Sequence, residues 1–319
     1  MNLFVENMLR VTRNLVLPFG CKDKVVILAF HRVLKETDSM ISGVINEVDF
    51  DKQMEVLHKL FNVIKLSDLI NKKNKGTIPD YAVCITFDDG YADNYEIALP
   101  ILKKWDLPAT FFISTGFLDG GIMWNDSILE SVRTTNHETL DLRHIGLGIH
   151  QLTDATRYSV ARKIILESKH LPMAMRNSVV SELRNISGTK LRSDYMMSTE
   201  QVRYLAREGM DIGAHTVNHP ILSKLSVDEA MQEIIDSKNQ LTELTNTNIE
   251  LFAYPNGKPG EDYTAEHADI VKEAGFSAAV STEWGYVNSD SRFYELPRMG
   301  FSDSNQFKFF YHMVRGYFN

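Results

Sequence analysis

YAVCITFDDGY, residues 81–91, decides the fold: an apolar run ends on two adjacent aspartates and a glycine. A short continuous apolar run rich in Val, Ile and Phe, closed by Asp-Asp-Gly, reads as a strand buried on both faces. Similar runs recur outward from it: VVILAF (25–30), NVIKL (62–66), ATFFI (109–113), MDIGA (210–214), ELFAY (250–254) and SAAVS (277–281). Between them, residues 49–61 and 227–244 repeat apolar positions at the helical period, and Ser67 and Ser226 stand where helix caps are expected. This alternation predicts an α/β fold around a parallel sheet.

The 319 residues fit one large α/β domain, 21–319, rather than two smaller ones, preceded by an amphipathic helix over 1–20. Between about 119 and 200 the alternation breaks. ILESVRT, ATRYSVARKIILES and MRNSVVSELRNIS read there as helices with no strand between them. Such a helical insertion serves either as a lid or cleft wall, or as packing bulk.

Leu3, Phe4, Met8, Val11 and Leu15 share one face of the first helix, with Arg10 and Arg13 nearer the other. Docking of the apolar face on the core is the expectation, and a helix lying in a membrane interface is the alternative. Glu6, Arg10 and Arg13 interrupt every apolar run, so neither a signal-peptide core nor a membrane span is expected. A cytoplasmic location follows as an expectation, peripheral at the inner membrane face if the helix meets lipid. The net charge of -8, without a basic stripe, argues against nucleic acid as a partner. Cys21 and Cys84 are too few for a disulfide framework.

In alternating β/α units, the loops after the strands share one site. His31, Asp88, Asp89, His215, Pro255 with Asn256, and Arg298 after the expected last strand FYEL (293–296) all occupy such positions. His219 lies four residues beyond His215, a spacing that lets both imidazoles reach one metal. Alone, Asp-Asp-Gly is a solvated turn and a spaced histidine pair is often accidental. Together, two imidazoles and a carboxylate form a three-ligand set with open positions, the pattern of catalytic metal sites. One aspartate would bind the metal, and the other would stay ionised beside a water and take its proton.

ITFDDGY (85–91) and HTVNH (215–219) resemble the first two motifs of the polysaccharide deacetylase family, the carbohydrate esterases with a NodB homology domain. The likeness covers most of 25–300. It implies a distorted, incomplete (β/α) barrel carrying the helical insertion. It also implies metal-dependent removal of an N-acetyl group from a sugar of a polysaccharide or glycolipid intermediate, so an N-acetylated glycan is the expected partner. By the resemblance Asp88 is the general base, and Asp89, His215 and His219 hold a divalent metal. Zinc is expected, and cobalt, nickel or iron(II) also suit these ligands.

Two motifs depart from the family pattern. FAYPNG (252–257) has Ala253 where an arginine is usual, and the Asn256 N–H aligns with the oxyanion donor, Tyr254 and Pro255 lying on the substrate side. LPR (296–298) has Arg298 where the family's acid histidine stands. Arg298 is expected to replace the charge lost at Ala253 and hold Asp88 ionised. His31 is the candidate acid, with a core or supporting role as its alternative. Trp124 either stacks on a sugar ring or is buried beneath the insertion. Two other readings remain: the same site acting on a non-sugar amide or cyclic ureide, and a catalytically degenerate glycan-binding protein.

Overall fold

The computed structural model describes residues 1, 3–17, 21, 23–188 and 192–318. The chain divides into two compact units, one of Met1–Thr37, Gly43–Leu118 and Met197–Asn319, the other of Asp38–Ser42 and Asp119–Met196.

The first unit is built on seven parallel strands: β1 (Val25–Phe30), β2 (Asn62–Val63), β3 (Ala82–Phe87), β4 (Thr110–Ile113), β5 (Asp211–Ala214), β6 (Leu251–Ala253) and β7 (Ala278–Val280). Their order is β1-β3-β4-β5-β6-β7, with β2 also pairing with β3. β1 lies beside β3 along its full length, Val25 opposite Ala82 through Phe30 opposite Phe87. All six residues of β3 are buried, which explains its unbroken apolar sequence.

The sheet curls into an open half-barrel. Side chains alternate between two apolar layers. Val26, Leu28, Val83, Ile85 and Phe87 pack under the outer helices. Val25, Ile27, Cys84, Phe112, Ala253 and Val280 face inward with Leu66, Leu69 and Ile70 of the helix Leu66–Lys75.

Residues 296–299 span the gap between the edge strands. Ser281 N–H donates to Leu296 O at 2.8 Å, and Met299 N–H donates to Ile27 O at 2.8 Å. The expected strand FYEL is not one; only an isolated bridge forms there, Leu296 beside Val280. Pro297 follows immediately, and it has no N–H to continue a ladder.

Helix α2 (Glu47–Leu60) is capped by Asn46, whose side chain accepts from Asp49 N–H, and helix α3 (Val227–Thr245) by the expected Ser226 in a reciprocal capping box with Glu229. Ser67 is not a cap: it lies inside its helix, and its N–H donates to Asp211 Oδ2 at 3.1 Å. The chain's last helix is α4 (Gln306–Gly316).

Helix α1 (Leu3–Val16) corrects the expectation of apolar docking. Leu9 is its buried residue, while Leu3, Phe4, Met8, Val11 and Leu15 are exposed. Arg10 and Arg13 turn inward instead, donating to the carbonyls of Lys59 and Leu60. The last carbonyls of a helix lack partners and carry negative charge, so two guanidiniums at the end of α2 bind there and set the roll of α1.

The second unit holds the helices Trp124–Thr134, Arg157–Lys169 and Met173–Ser187 around Ile128, Val132, Leu140, Ile164 and Leu183. It also contains an antiparallel strand pair, Thr139–Asp141 with Ile149–Gln151, so it is not helical throughout. Three residues per strand are too few to reveal a period of two.

Gly213 of β5 tests the packing. A Cβ there would land on the Phe112 ring and 3.0 Å from Leu251 O. Gly213→Ala is expected to cost about 1–3 kcal/mol, measured by chemical denaturation with the urea m-value unchanged.

Candidate active site

The carboxyl ends of β1, β3, β5 and β6 and the 296–299 segment bring the expected residues together. Asp88 follows β3, and its N–H donates to Phe30 O at 2.9 Å. Its carboxylate is buried and gripped by Arg298, whose Nη1 donates to Oδ1 at 2.7 Å and Nη2 to Oδ2 at 2.6 Å. Arg298 is itself held: Nε donates to Ser281 O at 2.9 Å, and Nη1 to Thr86 Oγ1 at 3.1 Å. This forked pairing is the strong form of an ion pair. Burial would push the Asp88 carboxyl up, but the Arg298 charge outweighs it and holds the group below the ordinary carboxylate range.

Asp89, His215 and His219 offer ligand atoms that all lie within 4.8 Å of one another. Asp89 Oδ1 is 3.4 Å from His215 Nε2 and 3.3 Å from His219 Nε2, yet it is buried with no hydrogen-bond partner. His215 Nδ1 lies 2.7 Å from Ala253 O. A carbonyl only accepts, so Nδ1 carries a proton; although burial pulls the ring down, the Asp89 carboxylate beside Nε2 holds His215 above the ordinary histidine range. Burial pulls His219 down to about 4 despite the Asp89 charge, so its ring is neutral at pH 7. A cation between them would give Asp89 Oδ1 the partner it lacks, taking the place of any proton on the two Nε2 atoms. The donor set fits a divalent ion that takes nitrogen and oxygen ligands.

The backbone here is strained. Asp89 (φ 75°), Thr216 (φ 63°), His219 (φ 50°) and Asn256 (φ 58°) are left-handed without being glycine, and Thr216 is β-branched. Such residues cost about 1–3 kcal/mol each and persist only where their surroundings fix them. Thr216 Oγ1 accepts from His219 N–H at 3.1 Å. Glu233 of α3 takes the N–H groups of Val217 and Asn218 at 2.9 and 2.8 Å and the Asn218 side chain at 2.7 Å.

His31 is exposed, which removes its core alternative. Asn256 forms a tight turn with Gly257 (φ 71°), whose N–H donates to Pro255 O at 2.7 Å. Tyr254 and Pro255 correct the sequence reading, because both are buried. The Tyr254 ring stacks on Tyr263 with centroids 3.7 Å apart, and its hydroxyl donates to Tyr294 O. These two residues shape the turn and have no open face for a substrate. Trp124 packs in the second unit with the Arg176 guanidinium 4.9 Å over its ring.

Several supporting residues escaped the sequence reading. Thr86 and Ser281 orient Arg298. Asp93, paired with Arg32 at 2.8 Å, holds the loop after β1 through Val33 N–H, while Asn94 donates to His31 O at 2.8 Å. A basic residue beside His31 and an acidic one just past Asp-Asp-Gly, both at neighbouring strand ends, were the available signal for that pair. Glu233 had none, being one of many glutamates on an amphipathic helix.

Removing Arg298 tests the pair. Arg298→Met leaves a buried carboxylate uncompensated and is expected to cost about 3–5 kcal/mol at neutral pH, measured by denaturant unfolding. The penalty should shrink in acid: a lowered native pKa gives stability that is full above the unfolded value, about 3.9, and is lost as pH falls through the folded one. A pH-independent penalty would show that Arg298 acts by packing alone.

The family model described as polysaccharide deacetylase matches residues 75–279. The poly-beta-1,6-N-acetyl-D-glucosamine N-deacetylase of Staphylococcus epidermidis is 28% identical over 173 residues, covering 47% of this chain and 60% of that protein. Its Staphylococcus aureus counterpart is 25% identical over 240 residues, covering 75% of this chain and 61% of that protein, so the chain spans about three fifths of the length of either. Among solved structures, IcaB from Ammonifex degensii superposes with a TM-score of 0.60 at 18% identity, covering 92% of this chain and 97% of that one. The Streptococcus pyogenes deacetylase PplD, solved with acetate, gives 0.60 at 21% identity, covering 88% and 92%. Since the matched segment takes in β3 to β7 and both aspartate and histidine motifs, the chain belongs to the polysaccharide deacetylase family.

Proposed function

We propose that this chain is a metal-dependent hydrolase that removes the N-acetyl group from an amino sugar of a polysaccharide or glycolipid. The observation that carries the reading is the unpaired, buried Asp89 oxygen facing two imidazoles, directly beside an aspartate kept ionised by Arg298. Asp89, His215 and His219 would hold a divalent ion, zinc before cobalt, nickel or iron(II). Such an ion supplies Lewis acidity toward a carbonyl oxygen and eases deprotonation of water.

The chain's own residues do the rest. Each Asp88 oxygen bonds to one Arg298 nitrogen and keeps a further lone pair, so the carboxylate can take a proton from the attacking water. The Asn256 N–H, fixed by its left-handed turn, donates to the oxygen that gains charge as the amide carbonyl becomes tetrahedral. His31, exposed at the end of β1, gives its proton to the leaving nitrogen as the C–N bond breaks. Acetate and a free amino sugar result. The poly-N-acetylglucosamine named for the staphylococcal relatives is the first substrate to try. Arg298 restores from another segment the charge missing at Ala253, which argues against a degenerate, purely glycan-binding site.

Metal content and acetate release from N-acetylglucosamine oligomers, measured on wild type and Asp88→Asn, test the proposal. Both proteins should hold about one equivalent of metal, and turnover should fall about a hundred- to ten-thousand-fold in Asp88→Asn. Metal without acetate release would redirect the search to non-sugar amides, and no metal after added zinc or cobalt would reject the reading. For His31→Gln, the alkaline limb of the pH–rate profile should disappear; an unchanged limb would remove His31 from the acid role.

A further inference from the structure

Helix α1 turns its apolar stripe to solvent. Leu3, Phe4, Met8, Val11 and Leu15 retain 44–78% of their exposure, and the 4, 8, 11, 15 spacing is one continuous helical face. Helix α4 does the same with Phe307 and Tyr311, and Phe318 is exposed just beyond its end.

The two helices share one seat. Arg13 of α1 donates to Leu60 O at the end of α2, and the next residue, Phe61, packs its ring against Phe310 and Tyr317, each 6.4 Å away between centroids. One turn back along α2, Glu55 accepts from Gln306 of α4 at 3.1 Å and pairs with Lys59 at 2.9 Å, which in turn lies 3.6 Å from Glu6 of α1. Both helices therefore lie along α2, with their apolar stripes outward.

Charge is sorted across this face. The chain carries -8 overall, yet α1 and α4 bear Arg10, Arg13, Lys308 and Arg315 against one carboxylate, Glu6. The acids are turned inward: Glu6 is 18% exposed and paired with Arg10, and Asp303, the partner of Lys308, is 7% exposed. Lys308 is 64% exposed, and Arg10, while its guanidinium donates to Lys59 O, keeps 48% of its exposure.

We propose that the face formed by α1 and α4 docks the protein on an anionic lipid bilayer, its apolar stripes entering the headgroup boundary and its cations meeting lipid phosphates. Amphipathic helices with basic flanks and aromatic residues bind membranes in this way. A second copy of the chain fits the face poorly, because a two-fold contact sets the same cations against each other. Among the described residues no helix is long and apolar enough to cross a membrane. The proposal rests on this face and is independent of the chemistry at the site.

Cosedimentation with vesicles of phosphatidylcholine, with and without phosphatidylglycerol, tests it on the full chain. Binding should occur on the phosphatidylglycerol vesicles and weaken with added salt. Phe4→Ser and Val11→Ser, which leave the buried Leu9 in place, should each lower partitioning about tenfold. Arg315→Gln should lower it about fivefold. Unchanged thermal melting of each variant shows that the fold is intact. The proposal is overturned if the protein binds neither vesicle, binds both equally, or keeps its binding when Phe4→Ser and Val11→Ser are combined. It is equally overturned by a dimer in sedimentation velocity that those serines dissociate.

Discussion

The buried pair between Asp88 and Arg298 is the constraint on which the rest of the site depends. Removing two ions from water costs several kcal/mol each, and only a well-shaped contact offsets that. Here both oxygens meet both terminal nitrogens, and the remaining guanidinium donors reach Ser281 and Thr86. Arg298 can do this because residues 296–299 bridge β7 and β1. The segment that spans the half-barrel's gap is the same segment that keeps the aspartate ionised, so shape and electrostatics are one feature.

The neighbouring cradle is held by different means. Asp89, Thr216 and His219 occupy left-handed conformations that an isolated chain avoids, and the ring of His215 is aimed by a backbone carbonyl of β6. Glu233 supplies three hydrogen bonds to the histidine loop from a helix behind it. Strain of this kind is tolerated where the surroundings leave no alternative, and its clustering beside an unpaired carboxylate oxygen sets these residues apart from ordinary turns.

Much of this was legible in the sequence, for identifiable reasons. Strands buried on both faces show as unbroken apolar runs, so β1, β3 and β4 could be read directly. The convergence of Asp88, Asp89, His215 and His219 could be read because all four stand just after strands. The role of Arg298 followed from a missing charge at Ala253. Other features were hidden by competing physics. The order Tyr254-Pro255-Asn256 does not tell which side chains the turn buries, and the stacking on Tyr263 decided it. The roll of α1 was set by carbonyls at the end of α2, a long-range demand that no helical wheel contains. Residues 293–295 bend before Leu296 reaches Val280, so the apolar run there left only a bridge.

The distance along the chain between the paired charges has a consequence for how the molecule comes into being. Asp88 and Arg298 are 210 residues apart, so their contact is among the least local in the fold. Contacts of such separation close slowly, because the chain entropy must be lost before the contact forms. During synthesis, a nascent chain that already displays both aspartates and both histidines still lacks the cation that makes the buried carboxylate tolerable. Its sheet can grow strand by strand, but the Asp88 carboxylate settles only when residues 296–299 slot between the first and seventh strands. Competence thus arrives with the completed fold rather than with any one motif.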